Sequence, residues 1–267
     1  MLRTEMRNEA SRHIDKMDSL EMLQLINREN MNSVMAVEAA LDQISVVCDY
    51  DADRFQKGGM LFYVGAGTSG RLGVMDAAEC PPTYGVSRDQ VIGIIAGGDQ
   101  CLKSAAEAQE DDAQSGANDL KQYEITDKDT VIGISASGGA AYVVGALQYA
   151  NEVGALTVSL ASNPGSKMEQ VAKLSIVTDT GPEVITGSTR MKSGNAQKMV
   201  LNMISTAVMV KTGKVYENMM INLKPSNQKL RKRVISIVCE ILDCTPEKAE
   251  QLLQAHNWDI RCVVDNQ

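Results

Sequence analysis

From about residue 18 to 56, Leu20, Leu23, Ile26, Val34, Val37, Ala40 and Leu41 recur near helical spacing, with Asp18 or Ser19 placed to cap the first helix. Gly58-Gly59 then punctuates the chain, and the pattern changes to short apolar runs: Met60–Val64, Val91–Ile95, Thr130–Ser135, Leu156–Leu160 and Leu174–Val177. None alternates cleanly, which suits strands covered on both faces. Helical stretches separate them, around Arg71–Ala78, Leu102–Gln114, Tyr142–Glu152 and Lys167–Ala172. Strand then helix, repeated, predicts an α/β fold with a three-layer parallel sheet. Ligands of such sheets bind beyond the carboxyl ends of the strands.

A long helix is expected from about Thr189 to Thr212, ended by Gly213, and Lys224-Pro225-Ser226 marks a break. Beyond it, Leu230, Val234, Ile237, Val238, Ile241 and Leu242 trace an amphipathic helix, and Thr245-Pro246-Glu247 starts another with proline in its first turn. The expected organisation is an N-terminal helical segment (1–56), a ligand-binding α/β domain (57–216) and a small C-terminal helical module (217–267).

Composition narrows the partners. A net charge of -8 argues against nucleic acid or an anionic membrane surface, while leaving room for a local positive pocket that takes a small anion. No stretch approaches the ~20 apolar residues of a membrane span. The start is charged and lacks an apolar signal core, so a cytoplasmic protein is expected. The scattered cysteines (Cys48, Cys80, Cys101, Cys239, Cys244, Cys262) read as reduced, mostly buried thiols. Cys239, Cys244, His256 and Cys262 fit none of the common zinc spacings, so no metal is expected. His13 and His256 are the only histidines and lie in the terminal segments, which disfavours Ser-His or Cys-His nucleophilic chemistry.

The first strand runs into Gly65-Ala66-Gly67-Thr68-Ser69-Gly70. Glycines let a backbone approach an anion, the hydroxyls of Thr68 and Ser69 can donate to it, and a following helix N-terminus favours negative charge. The loop also fits the dinucleotide fingerprint. That reading expects an acidic residue closing the second strand, where this chain has Ile95-Ala96-Gly97-Gly98. The third strand repeats the device with Ser135-Ala136-Ser137-Gly138-Gly139, and two such loops can surround one phosphate. A third hydroxyl-rich stretch, Thr186-Gly187-Ser188-Thr189, leads into Arg190 and Lys192, which read equally well as ligand-facing cations or solvated helix charges.

Two carboxylates stand out. Glu79 precedes Pro81-Pro82, a pair expected to stop the helix and fix the backbone, leaving Glu79 near a helix C-terminus where negative charge is disfavoured. A solvated carboxylate is the simpler reading. Glu110 belongs to an acidic run, Glu107 to Asp112, of the kind that usually faces solvent, and spacing alone does not choose among its carboxylates.

Taken together, TEMRNEAS (4–11), GAGTSGRLG (65–73), DAAECPPT (76–83) and GSTRMKSGNAQK (187–198) resemble the N-acetylmuramic acid 6-phosphate etherase family, built on a sugar isomerase (SIS) domain and related to the glucokinase regulatory protein. The resemblance runs to about residue 224 and implies a flavodoxin-like SIS domain over 57–216 and a homodimer with its site near the subunit interface. It implies no cofactor, a sugar-phosphate substrate and a role in cell-wall sugar recycling. Matched to the family motif, Glu79 corresponds to the proton donor and Glu110 to the second carboxylate, the base. Gly67, Thr68, Ser69, Gly70, Ser135, Ser137, Gly138, Ser188, Thr189 and Lys192 are the expected phosphate and substrate contacts. The expected reaction eliminates D-lactate from N-acetylmuramic acid 6-phosphate and adds water, giving N-acetylglucosamine 6-phosphate. Alternatives on the same domain are an aldose–ketose isomerase and a non-catalytic sugar-phosphate sensor. One departure stands out: Gly139-Ala140-Ala141 occupies the place where relatives often carry Arg-Thr-Pro.

Overall fold

The computed structural model describes residues 2–104, 107–223, 225 and 227–266. Its centre is a five-stranded parallel sheet of β1 (Leu61–Gly65), β2 (Val91–Ile95), β3 (Thr130–Ile134), β4 (Leu156–Ala161) and β5 (Leu174–Val177), in the order β2-β1-β3-β4-β5. This is the flavodoxin-like doubly wound order, with its switch point between β1 and β3. Successive residues of β1 feed opposite cores. Leu61 and Tyr63 join one with Ile132, Val158 and Ile176, whereas Phe62 and Val64 join the other with Val131, Val143 and Leu147. Both faces are dry, which is why the strands read as unbroken apolar runs.

One face is covered by α2 (Leu41–Gln56), α3 (Gly67–Tyr84) and α8 (Lys192–Lys211), with α1 (Ser19–Glu38) packed on α8. The other carries α5 (Ala113–Lys121), α6 (Ala141–Val153) and α7 (Lys167–Val171). The short α4 (Gln100–Lys103) follows β2, and a two-stranded ribbon of β6 (Val215–Tyr216) and β7 (Met219–Met220) leads to α9 (Gln228–Leu242), α10 (Pro246–Ala255) and α11 (Ile260–Asp265), which share a separate small core. Among the described residues no helix is long and apolar enough to cross a membrane.

The 18–56 segment forms helices as expected, and Asp18 opens the first through a capping box with Glu21. Other local expectations change. The long C-terminal helix of the sheet domain starts at Lys192 rather than Thr189, because buried Glu183 accepts from the Lys192 and Ser193 amides, at 2.9 Å each, and fixes its first turn. Leu102–Gln114 is not one helix: α4 ends at Lys103, and Glu107–Asp111 is a 3-10 turn. Residues 105 and 106 of that stretch, with Lys224 and Ser226 of the expected break, lie outside the described residues.

The largest correction concerns Pro81-Pro82, which does not stop α3. Two missing N–H groups cost helix bonds. The last turn nevertheless persists because Tyr84 packs on the core and its hydroxyl donates to Thr206 Oγ1 at 3.2 Å. Gly85, at φ +68°, ends the helix instead. Only three of the six cysteines are buried, while Cys239 and Cys244 are half-buried and Cys262 is exposed.

Candidate functional site

A cavity of about 250 Å³ opens at the switch point, lined by Ala66, Gly67, Thr68 and Ser69 after β1 and by Ser135, Ala136 and Ser137 after β3. Glu5, Glu110, Ala140 and Thr189 complete its wall. An α-helix leaves its first amides without internal acceptors, and in α3 these belong to the residues of this wall. The approach is close: a Cβ on Gly70 would stand 2.6 Å from Gly65 O and 2.7 Å from Ile95 Cγ1. Only glycine lets α3 begin this near the strand end.

The second loop is wound on itself. The Ser135 and Ser137 hydroxyls lie 3.2 Å apart, Gly138 N donates to Ser135 Oγ at 3.2 Å, and Gly139 N donates to Ser137 Oγ at 3.1 Å. Gly138 turns at φ +70° against Ser166. On the first loop, Ser69 Oγ donates to Gln197 Oε1 at 2.9 Å, while Gln197 Nε2 is buried with no partner among the described residues. Turning that amide over would let Nε2 donate to Ser69 and release the hydroxyl hydrogen to a ligand.

The structure brings Gly67, Thr68, Ser69, Ser135, Ser137, Thr189 and Glu110 together around the cavity. Gly70 and Gly138 stand behind the wall as packing positions, and Ser188 does not line it. Lys192 is elsewhere: its buried ammonium pairs with Glu29 at 2.6 Å. Glu110 is exposed at the rim, and partial burial followed by the charge of Asp111 push its carboxyl above the ordinary value. Glu79 is exposed on α3 twelve residues beyond Gly67, about 18 Å along the helix axis, and does not line this cavity within one chain. Its neighbour Asp76 is buried, accepting from Tyr63 OH at 3.1 Å and from Asn202 Nδ2 at 3.4 Å.

Glu5 was not singled out from the sequence. The segment 4–11 drew notice only as part of a resemblance, and no local periodicity marks a residue brought in from the far end of the chain.

Comparisons with known proteins agree with this architecture. The family profile of the glucokinase regulatory protein N-terminal SIS domain matches residues 42–151, that of the SIS domain 115–207, and that of a UBA-like domain 234–261. An N-acetylmuramic acid 6-phosphate etherase of Clostridium beijerinckii is 49% identical over 263 residues, covering 98% of this chain and 86% of the relative. One of Actinobacillus pleuropneumoniae is 51% identical over 251 residues, covering 94% and 83%. A phosphoheptose isomerase structure from Neisseria gonorrhoeae superposes with a TM-score of 0.55 at 17% identity, covering 72% of this chain and 98% of that one. At that identity the likeness shows the fold alone.

Proposed function

The chain belongs to the N-acetylmuramic acid 6-phosphate etherase family, and we propose that it cleaves the lactyl ether of N-acetylmuramic acid 6-phosphate, releasing D-lactate and N-acetylglucosamine 6-phosphate. The observation that carries this reading is the hydroxyl-lined cavity at the β1–β3 switch point with Glu110 at its rim. Helix-terminal amides and the hydroxyls of Thr68, Ser69, Ser135, Ser137 and Thr189 hold the phosphate, which orients the sugar without reacting.

An alkyl ether is a poor leaving system until the sugar ring opens. The aldehyde at carbon 1 then acidifies the hydrogen on carbon 2. Glu110 takes that proton while the lactyl oxygen leaves carbon 3 with a proton from Glu79, and water adds across the resulting double bond. Two carboxyl groups in opposite protonation states serve such a step. The raised Glu110 carboxyl is a stronger base than an ordinary glutamate.

Glu79 comes to the cavity from the second subunit of a homodimer. Support lies in its exposure and in the apolar surface nearby: Met75 of α3 and Met203 and Val210 of α8 face solvent, as do Leu20, Leu23, Met31, Val34 and Met35 of α1. The six unpaired cysteines support a reducing, cytoplasmic setting.

The direct test couples lactate detection to incubation with the phosphorylated amino sugar. Lactate should appear, and Glu79→Gln should stop it while exchange of the carbon 2 hydrogen with solvent continues. Lactate at an undiminished rate from that variant would remove Glu79 from the mechanism.

A further inference from the structure

The N-terminal segment has no core of its own, yet it is fastened across the carboxyl ends of β3, β4 and β5. Asn163, just beyond β4, is its main anchor and is buried. Its Oδ1 accepts from Arg3 N at 2.8 Å, and its Nδ2 donates to Thr4 Oγ1 and Ala136 O at 3.0 Å each. One side chain thus ties the segment to the phosphate loop itself. Arg3 also pairs with Asp179, and Ser11 Oγ donates to Val184 O at 2.7 Å. A segment with no core of its own frays unless held in this way.

What these anchors position is Glu5. It lines the cavity beside Glu110, and its Oε2 lies where a Cβ on Gly187 would come within 3.3 Å. Its carboxylate has no hydrogen-bonding or ionic partner among the described residues. Glu5 is exposed at the mouth of the cavity, where its charge works against phosphate binding unless another part of the ligand uses it. A carboxylate accepts hydrogen bonds and donates none. Between its phosphate and its reacting carbons, an open-chain sugar phosphate presents hydroxyl donors.

Resting on the reading of this cavity as the sugar-phosphate site, we propose that Glu5 is a substrate-binding residue that accepts hydrogen bonds from the sugar hydroxyls between the phosphate and carbon 3. The phosphate loops hold one end of the chain and Glu5 its middle, so that carbon 2 is presented to Glu110. Glu5 therefore selects a polyhydroxylated chain over a bare phosphate, a discrimination the cradle cannot make.

Glu5→Gln separates these contributions, because it keeps the size of the side chain and removes its charge. In the lactate assay the KM for the phosphorylated amino sugar should rise about 10-fold, because the Gln amide oxygen still accepts but without the charge that strengthens the bond. Competitive inhibition by inorganic phosphate should stay the same or tighten, since a repelling charge has gone. Opposite responses of sugar and phosphate are the signature. Asn163→Ala, which frees the whole segment, should weaken both. An active wild type with an unchanged KM in Glu5→Gln overturns the assignment alone, as does a variant in which both affinities fall together. A wild type that releases no lactate overturns the reading of the site, and the assignment with it.

Discussion

Lys192 Nζ donates to Glu29 Oε2 at 2.6 Å, and this pair, with side chains 1% and 16% exposed, pins α8 to α1. Asn8 Nδ2 also donates to Glu29, at 2.7 Å, so the same carboxylate reaches the N-terminal segment. Removing one member of a buried pair leaves the other charge uncompensated. Lys192→Met should cost about 3–5 kcal/mol in urea unfolding. Burial pushes the Glu29 carboxyl up, but the bonds from Lys192, Asn8 and Asn32 outweigh it and hold the group below its ordinary value. Its contribution is therefore present above the unfolded-state value and lost as pH falls through the folded one. Acid unfolding of the wild type should include this loss, and Glu29→Gln should flatten that part of the curve.

The pH dependence of lactate release should report Glu110. A base works deprotonated, and this carboxyl lies above the ordinary 4.5. The acidic limb of kcat/KM should have its midpoint above that value, and Glu110→Gln should lower the rate by ~10²–10⁴-fold. A limb centred at or below the ordinary value would mean that Glu110 is not the base.

If Glu79 and Glu110 meet across a subunit boundary, two inactive variants should repair each other. Glu79→Gln and Glu110→Gln chains, mixed after dissociation, form hybrid dimers holding one intact site and one doubly defective site. Random pairing should restore about a quarter of wild-type activity. No recovery despite demonstrated subunit exchange would place both groups in one chain.

Asp51, on the face of α2 against the sheet, is fully buried, and its Oδ2 has no hydrogen-bond partner among the described residues. Burial pushes its carboxyl up to about 7, against the pull of Thr130 and Arg54. A value raised on folding leaves stability intact below the unfolded-state value and erodes it as pH climbs toward 7. Asp51→Asn should stabilise the protein at pH 8, by on the order of 2–4 kcal/mol, and do little at pH 4. Equal effects at both values in denaturant titrations would contradict this.

The sheet was legible because burial on both faces leaves a simple trace. Val91–Ile95 and Leu174–Val177 fall on their predicted bounds, β1 shifts by one residue, and β3 and β4 differ by one residue at their ends. The two loops that line the cavity were legible for a similar reason, since glycine and hydroxyl clusters at strand ends are local. What failed depended on distant partners. Nothing near Pro81-Pro82 announces that Tyr84 will find Thr206 and carry α3 onward. Lys192 looked like a ligand-facing cation because Glu29, its partner, lies 163 positions earlier. Glu79 and Glu110 were paired by resemblance, whereas their separation within one chain is a matter of helix length.

The Asn163 clamp also bears on how the molecule is made. Its bond to Arg3 spans 160 positions, and the Arg3–Asp179 pair spans 176. Contacts this remote form late, since long loops must close first. During synthesis Arg3 and Thr4 emerge before β5 and the turn after it, and stay undocked until those have been made. A nascent chain that has just paired β1 with β3 already has both hydroxyl-rich loops of the cavity but lacks the wall that Glu5 supplies, so the pocket is completed by a segment made before the sheet.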